Sequence, residues 1–144
     1  MVVAAALTGV AAPANAVRIS SLAGMRIDRA FGTFGAHGDC TGGPTITVAS
    51  TGFTFVVGGK SLKPAKFEWA PDYNGDNDGS HPQPTWFFPF PRSENDFGPL
   101  VMTVDAREIS FDKQDNLIAP VYATLLAGSP YRRCGAAPGK KPLI

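Results

Sequence analysis

The chain has 144 residues, 44% of them hydrophobic, and 13 Lys+Arg against 12 Asp+Glu give a formal net charge of +1. That apolar share is enough for a packed core and excludes a wholly disordered chain; the near-neutral balance lacks the basic face by which proteins attract nucleic acid, so no nucleic-acid partner is expected. Gly 16 and Pro 13 exceed average usage and favour turns and short strands over long helices.

Residues 1–16, MVVAAALTGVAAPANA, have the form of a secretion signal. An apolar run from Val2 to Ala12 leads through Pro13 to Ala14-Asn15-Ala16, the small-x-small pattern that a signal peptidase accepts. The run departs from the pattern in lacking a basic residue after Met1. At roughly half the length that crosses a bilayer, it predicts no membrane span. The mature chain then begins at Val17 and is exported, periplasmic or secreted. No Leu-x-x-Cys follows the run, so a soluble product is expected; it is also expected to be a monomer. Cys40 and Cys134 are its two cysteines. In an oxidising compartment they are expected to form one disulfide, with two separate thiols as the alternative. So long a closed loop would stabilise the fold by roughly 4–5 kcal/mol in the chain-entropy model.

Residues 17–28 form a mixed lead-in, read as a strand or a short helix. Thr45–Ala49 alternates, with Ile46 and Val48 on one face and the threonines on the other. Ser50-Thr51-Gly52 predicts a three-residue turn, with positive φ at Gly52, into Phe53–Val57. Gly58-Gly59 is a second turn and leads into Ser61–Trp69, where Phe67 and Trp69 face away from Lys66 and Glu68. Pro64 marks this run as an edge strand or a bulge. Residues 70–99 then hold six prolines, and Thr85–Phe88 is read as their one ordered piece. Leu100–Val104 and Arg107–Phe111 are strands, with Leu100, Met102 and Val104 sharing a side and Ile109 and Phe111 inward. Val121–Leu126 reads as the last strand, with a helical turn as the alternative. Residues 135–144, with Lys140 and Lys141, form a loose basic tail. Short strands set apart by turn chemistry predict a single all-β domain over 17–134. Its architecture is a small antiparallel barrel or sandwich with a long irregular loop.

Two constellations in that loop carry chemistry. Asp72, Asn74, Asp76 and Asp78 place side-chain oxygens at alternate positions, as a Ca²⁺ loop does. Aligned to an EF-hand loop, Thr85 stands where the closing Glu belongs and flanking helices are missing. Any such site is weak, and the plainer reading is an acidic surface turn. Trp86-Phe87-Phe88-Pro89-Phe90-Pro91, followed by Arg92 and Glu94, combines rings, prolines and charge as recognition surfaces do. For Trp86 and Phe88, which share one face, a core strand is the favoured reading, whereas Phe90, between prolines, is the better candidate for an exposed position. Trp86, Phe90, Arg92 and Glu94 are therefore the candidate partner-binding residues. No catalytic residue is assigned. Asp72, Asp76, Asp78, Glu94 and Asp96 could supply a hydrolytic pair, but their spacing singles out no two of them.

His37 and His81, the two histidines, exclude a multi-His metal centre. A Cys40–His81 nucleophile pair would need a free thiolate, which a disulfide denies. Gly38–Pro44 has a superficial likeness to the nucleophile segment of trypsin-like proteases. An inserted Thr41 and Cys40 in place of Ser make it accidental. Phosphate loops, dinucleotide fingerprints and nucleophile elbows are missing from the sequence.

Phe31-Gly-Thr-Phe34-Gly, Cys40, the Thr45–Val48 strand, Gly52-Phe53 and the closing Tyr131-Arg-Arg-Cys134 resemble the layout of small periplasmic inhibitor-like β-barrel proteins. That resemblance implies a compact exported barrel. It does not carry inhibition with it, because the Ser-Gly-x-x-Tyr loop of the lysozyme inhibitors has no counterpart here. The expected role is that of a non-catalytic exported domain binding an unidentified envelope protein or ligand through residues 70–99, without a cofactor. The alternatives are a small hydrolase using loop carboxylates and a weakly Ca²⁺-stabilised structural module. Material recovered from the native host is expected to begin at Val17, and intact-mass measurement reads this directly; a chain still carrying Met1 overturns the export reading.

Overall fold

A computed structural model describes residues 17–70, 85–93, 96–116 and 118–135. The expected signal segment, the Ca²⁺ candidates Asp72, Asn74, Asp76 and Asp78, His81, Glu94 and the tail from residue 136 lie outside the described residues. What is described is one ten-stranded antiparallel sheet, curled into a half-barrel. The strands in chain order are β1 (Val17–Ile19), β2 (Gly32–Ala36), β3 (Thr45–Ala49), β4 (Gly52–Val57) and β5 (Lys60–Leu62), followed by β6 (Phe67–Ala70), β7 (Thr85–Phe88), β8 (Leu100–Val104), β9 (Glu108–Lys113) and β10 (Tyr131–Arg133). Among the described residues a single α-helix, α1 (Pro120–Ala127), lies between β9 and β10. Across the sheet the order is β1-β6-β7-β8-β9-β10-β2-β3-β4-β5.

Turn chemistry sets the registers. Gly58 (φ 59°) and Gly59 (φ 80°) are both left-handed, as a two-residue type I′ turn requires, and they place Val57 opposite Lys60. The β3–β4 loop is two residues rather than the expected three, since Ala49 already pairs with Gly52. Gly52 keeps its positive φ of 126° inside the strand, and a Cβ there would lie 3.4 Å from the Phe67 ring. After β8, the Asp105 carboxylate accepts from Arg107 N (2.7 Å) and Glu108 N (3.1 Å), closing the turn into β9.

The expected inward sets are the observed ones. Ile46, Val48, Leu100, Met102, Val104, Ile109 and Phe111 are buried in one core with Phe34, Phe53, Phe55, Phe67 and Phe87. Phe53 lies at its centre, its ring 5.0 Å from Phe67 and 4.9 Å from Phe87, both tilted edge-on. Rings from β4 thus meet rings from β6 and β7 across the concave side. The convex side of β6–β8 is also covered, since Ala70, Phe88 and Val101 form a second buried cluster with Trp86 and Phe97 against it.

Three expectations are corrected. Val121–Leu126 is helical, not a strand: Pro120 sits in the first turn, where its missing N–H costs no bond, and the segment runs on to Ala127. The last strand is β10, whose two arginines conceal its apolar alternation. Ser61–Trp69 is not one strand, because Pro64 cannot donate to a ladder and the chain leaves β5 to enter β6 elsewhere in the sheet. Glu68, expected to face outward, is 5% exposed, and its carboxylate accepts from Arg18 Nε at 2.5 Å. A buried carboxylate needs such a partner.

Cys40 and Cys134 form the expected disulfide, with Cα atoms 5.8 Å apart. Asp39 helps shape the loop that carries Cys40, accepting from Thr41 N, Thr41 Oγ1 and Gly42 N. Those backbone and side-chain bonds hold its carboxyl below the usual carboxylate range. Tyr131 in β10 is fully buried and donates its hydroxyl to Leu125 O at 2.8 Å, tying the helix to the sheet. Burial pushes its phenol well above the ordinary tyrosine value. The unfolded chain ionises this group from about pH 10, the folded one only at higher pH. The contribution is therefore complete below pH ~10 and falls away as pH rises further. Urea unfolding across that range should show a loss of stability in the wild type that Tyr131→Phe lacks. At neutral pH the same variant should be less stable by about 1 kcal/mol, from loss of the hydroxyl's hydrogen bond to a carbonyl that keeps only the Gly128 amide as donor.

Candidate binding cleft

The strand β5 ends at Leu62, and Lys63-Pro64-Ala65-Lys66 carry the chain across to β6. On the facing side, Pro89, Phe90 and Pro91 prolong β7 past the end of its ladder. Tyr122, in the first turn of α1, lies between the two. A cleft of about 370 Å³ opens here, lined by Leu62, Lys63, Lys66, Phe90, Arg92 and Tyr122 with prolines on both walls.

Its floor is aromatic and anchored. The Phe90 ring lies 4.9 Å from Phe55 and 4.6 Å from Tyr122, so this residue is half-buried against the main core. The expectation that Phe90 is the exposed ring of its segment is corrected to that extent: the strand alternation ends at Phe88, which packs on the convex cluster, and the bend that follows sets Phe90, two residues on, against the main core instead. Bonds from Arg92 and Gly98 to Asp96 hold the segment in place. Arg92 N donates to Asp96 O at 2.9 Å, and Gly98 N to Asp96 Oδ1 at 2.9 Å. Gly98 has φ 90°, and a Cβ there would collide with the Phe90 carbonyl. Only glycine fits. The described part of residues 89–99 is therefore ordered beyond the Thr85–Phe88 strand expected from sequence.

The two walls differ in charge. Arg92 Nη1 lies 3.2 Å from Asp96 Oδ2 and 3.1 Å from Asp115 Oδ2. Hydrogen bonds to Asp96 and then to Asp115 push its already high pKa further up and fix the guanidinium on its wall. Opposite, Lys63 and Lys66 are exposed, and Lys63 Nζ donates to Thr51 Oγ1 at 3.1 Å. Among the described residues no lysine enters an ion pair; Arg18, Arg92 and Arg132 all do.

Of the partner-binding candidates, the structure brings Phe90 and Arg92 together at the cleft. Trp86 is half-buried on the convex side with Phe88 and Phe97 and does not line it. Asp96, one of the carboxylates weighed for hydrolysis, is taken up by Arg92 and the Gly98 amide. Sequence reading missed Lys63, Lys66 and Tyr122. A signal for the lysines was there, in a Lys60–Lys66 stretch with three cations and no acid. Tyr122 carried none, since its place depends on α1. His37 is structural: its Nε2 lies 2.9 Å from Ala127 O, and its amide donates to Pro130 O at 2.9 Å. Among the described residues, no helix is long and apolar enough to cross a membrane.

No protein-family model, curated protein or solved structure matches this chain.

The two kinds of lining residue should separate on substitution. Phe90→Ala should cost about 2 kcal/mol, below the full-burial figure because the ring is half-exposed. Lys63→Ala and Lys66→Ala should each stay within about 0.5 kcal/mol of wild type. Urea unfolding measures all three, and a comparable loss at the lysines would mark them as structural.

Proposed function

We propose that this protein is an exported, non-catalytic β domain that holds a partner at the cleft between residues 62–66 and 89–92. One observation carries the reading. Phe90 and Arg92, from the proline-rich 70–99 segment, face two lysines that pair with no described carboxylate, across an open cleft whose floor is fixed to the core. Rings that are already immobilised lose little entropy when a ligand covers them, and a pre-formed concave site needs no rearrangement. Long irregular segments in compact domains usually serve function, which supports a role in binding for the rest of residues 70–99. Export is supported by the leader-like pattern of residues 1–16 together with the Cys40–Cys134 bridge, since disulfides persist in oxidising compartments. The domain resembles the periplasmic inhibitor-like barrels in layout, and what it holds is proposed to be an envelope component.

Deletion of residues 72–84 is expected to leave the disulfide and the unfolding transition in place. The envelope component that the wild type retains on a column should then be lost. Retention of that component by the deletion variant, or unfolding of the variant, overturns the role given to the 70–99 segment.

A further inference from the structure

We infer that the cleft is the end of a longer docking track: an extended acidic peptide segment of a partner adds to the free edge of β5 and runs into the cleft. This rests on the binding reading above and names the ligand of that same site.

Three observations converge on it. First, β5 is a terminal strand of the sheet. Lys60, Ser61 and Leu62 pair with Val57, Val56 and Phe55 on one side, and no described strand lies on the other. Such an edge offers unpaired N–H and C=O groups to an incoming strand. Second, the edge points into the cleft. The strand ends at Leu62, ahead of Pro64, and Leu62 itself lines the cleft with Phe90 and Tyr122, so a segment paired along β5 ends at the cleft. Third, the charge is one-sided. Lys60, Lys63 and Lys66 fall at regular spacing with no carboxylate among residues 60–66, in a chain of net charge +1. Among the described residues Lys60 and Lys66 have no ion-pair partner, and Lys63 donates to a threonine hydroxyl.

Lysines on an edge strand also serve to repel other strands. That role accounts for Lys60. It does not account for Lys66, which lies past Pro64 and outside the strand, on the wall of a cleft floored by half-buried rings. A partner carrying Glu or Asp at alternate positions turns the same repulsion into selection: uncharged or basic strands are refused and an acidic one is accepted. An anionic glycan would use the lysines but has no main chain of regularly spaced N–H and C=O groups with which to extend a sheet. The main-chain edge therefore favours a peptide.

The test uses the oxidised full chain and fluorescence anisotropy. The probes are a labelled peptide alternating Glu with Val, its Gln counterpart, the Glu peptide N-methylated along one edge, and a hyaluronate oligosaccharide. The Glu peptide should bind, the Gln peptide about tenfold more weakly, and the N-methylated peptide not measurably. Binding should fall about tenfold in Lys63→Ala/Lys66→Ala and again in about 0.5 M salt. Equal binding of the N-methylated peptide, or binding of hyaluronate without binding of the Glu peptide, overturns the inference. If no Glu peptide binds while the envelope component is still lost on deleting residues 72–84, the peptide inference falls and the binding reading stands. If that component is also retained, both fall.

Discussion

Three residues near the C-terminus, Tyr131–Arg133, hold the sheet together. The strand β10 lies between β9 and β2, so it joins the β6–β9 half to the β2–β5 half. Each of its side chains is committed. Tyr131 fills the core beside Phe111 and reaches back to the helix. Arg132 faces Glu108 at the surface. Arg133 donates to the carbonyls of Arg29, Phe31 and Ala106 and lies over the Phe34 ring. Its partners come from both halves, so the guanidinium bridges them with a rigid fork of donors that lysine does not possess. Cys134 follows directly and is bonded to Cys40, in the loop after β2. Because these contacts join positions far apart in sequence, the sheet is complete only when the last described residues are in place. That is a topology of high contact order.

With the two halves joined, the curled sheet needs a filled interior, and phenylalanine fills it. Phe53 is the hub because it is the one ring within reach of Phe55 on its own strand and of Phe67 and Phe87 opposite. Rings bring large apolar area and prefer tilted contacts, which suit strands that meet at an angle rather than face to face. The small residues are as necessary as the large ones. At Gly35 a Cβ would overlap the Asp39 carbonyl, and at Gly128 it would press on the Tyr131 hydroxyl and Ala36. The loop carrying Cys40 and the end of α1 can approach β2 only because these positions are bare.

Much of this was legible in the chain, and the parts that were not share a cause. Alternation over Thr45–Val57 and Leu100–Phe111 depends on neighbours one and two residues away, so strands and inward faces could be read directly. The disulfide followed from there being two cysteines and an export-like leader. Three features failed because they are settled by distant partners. Val121–Leu126 is apolar enough for either a strand or a helix, and its docking on the sheet through Leu125 decides between them. Tyr-Arg-Arg looks polar and becomes a central strand because Arg133 finds three carbonyls that no local pattern announces. Glu68 looks like a surface residue and is buried because Arg18 lies opposite it in the register of β1 with β6. The cleft was half legible: Phe90 and Arg92 stood out by composition, whereas their lysine counterparts depend on where the chain crosses from β5 to β6.

That crossing explains why the cleft exists at all. A closed barrel would hydrogen-bond its first and last strands, leaving no free edge and no seam. Here the sheet ends in β1 and β5, and these are not paired with each other. The four residues after Leu62 pass over the gap with a proline among them, so the link cannot be zipped into the sheet. The seam would expose the Phe55 end of the core, and the ordered stretch around Phe90, locked by Asp96 and Gly98, closes it together with Tyr122. Rings that complete the core on their inner side remain open on their outer side. The cleft is thus the outer surface of the plug in an incomplete barrel. Its rigidity comes from the core it seals, and its one-sided charge comes from a link that has no ladder to join.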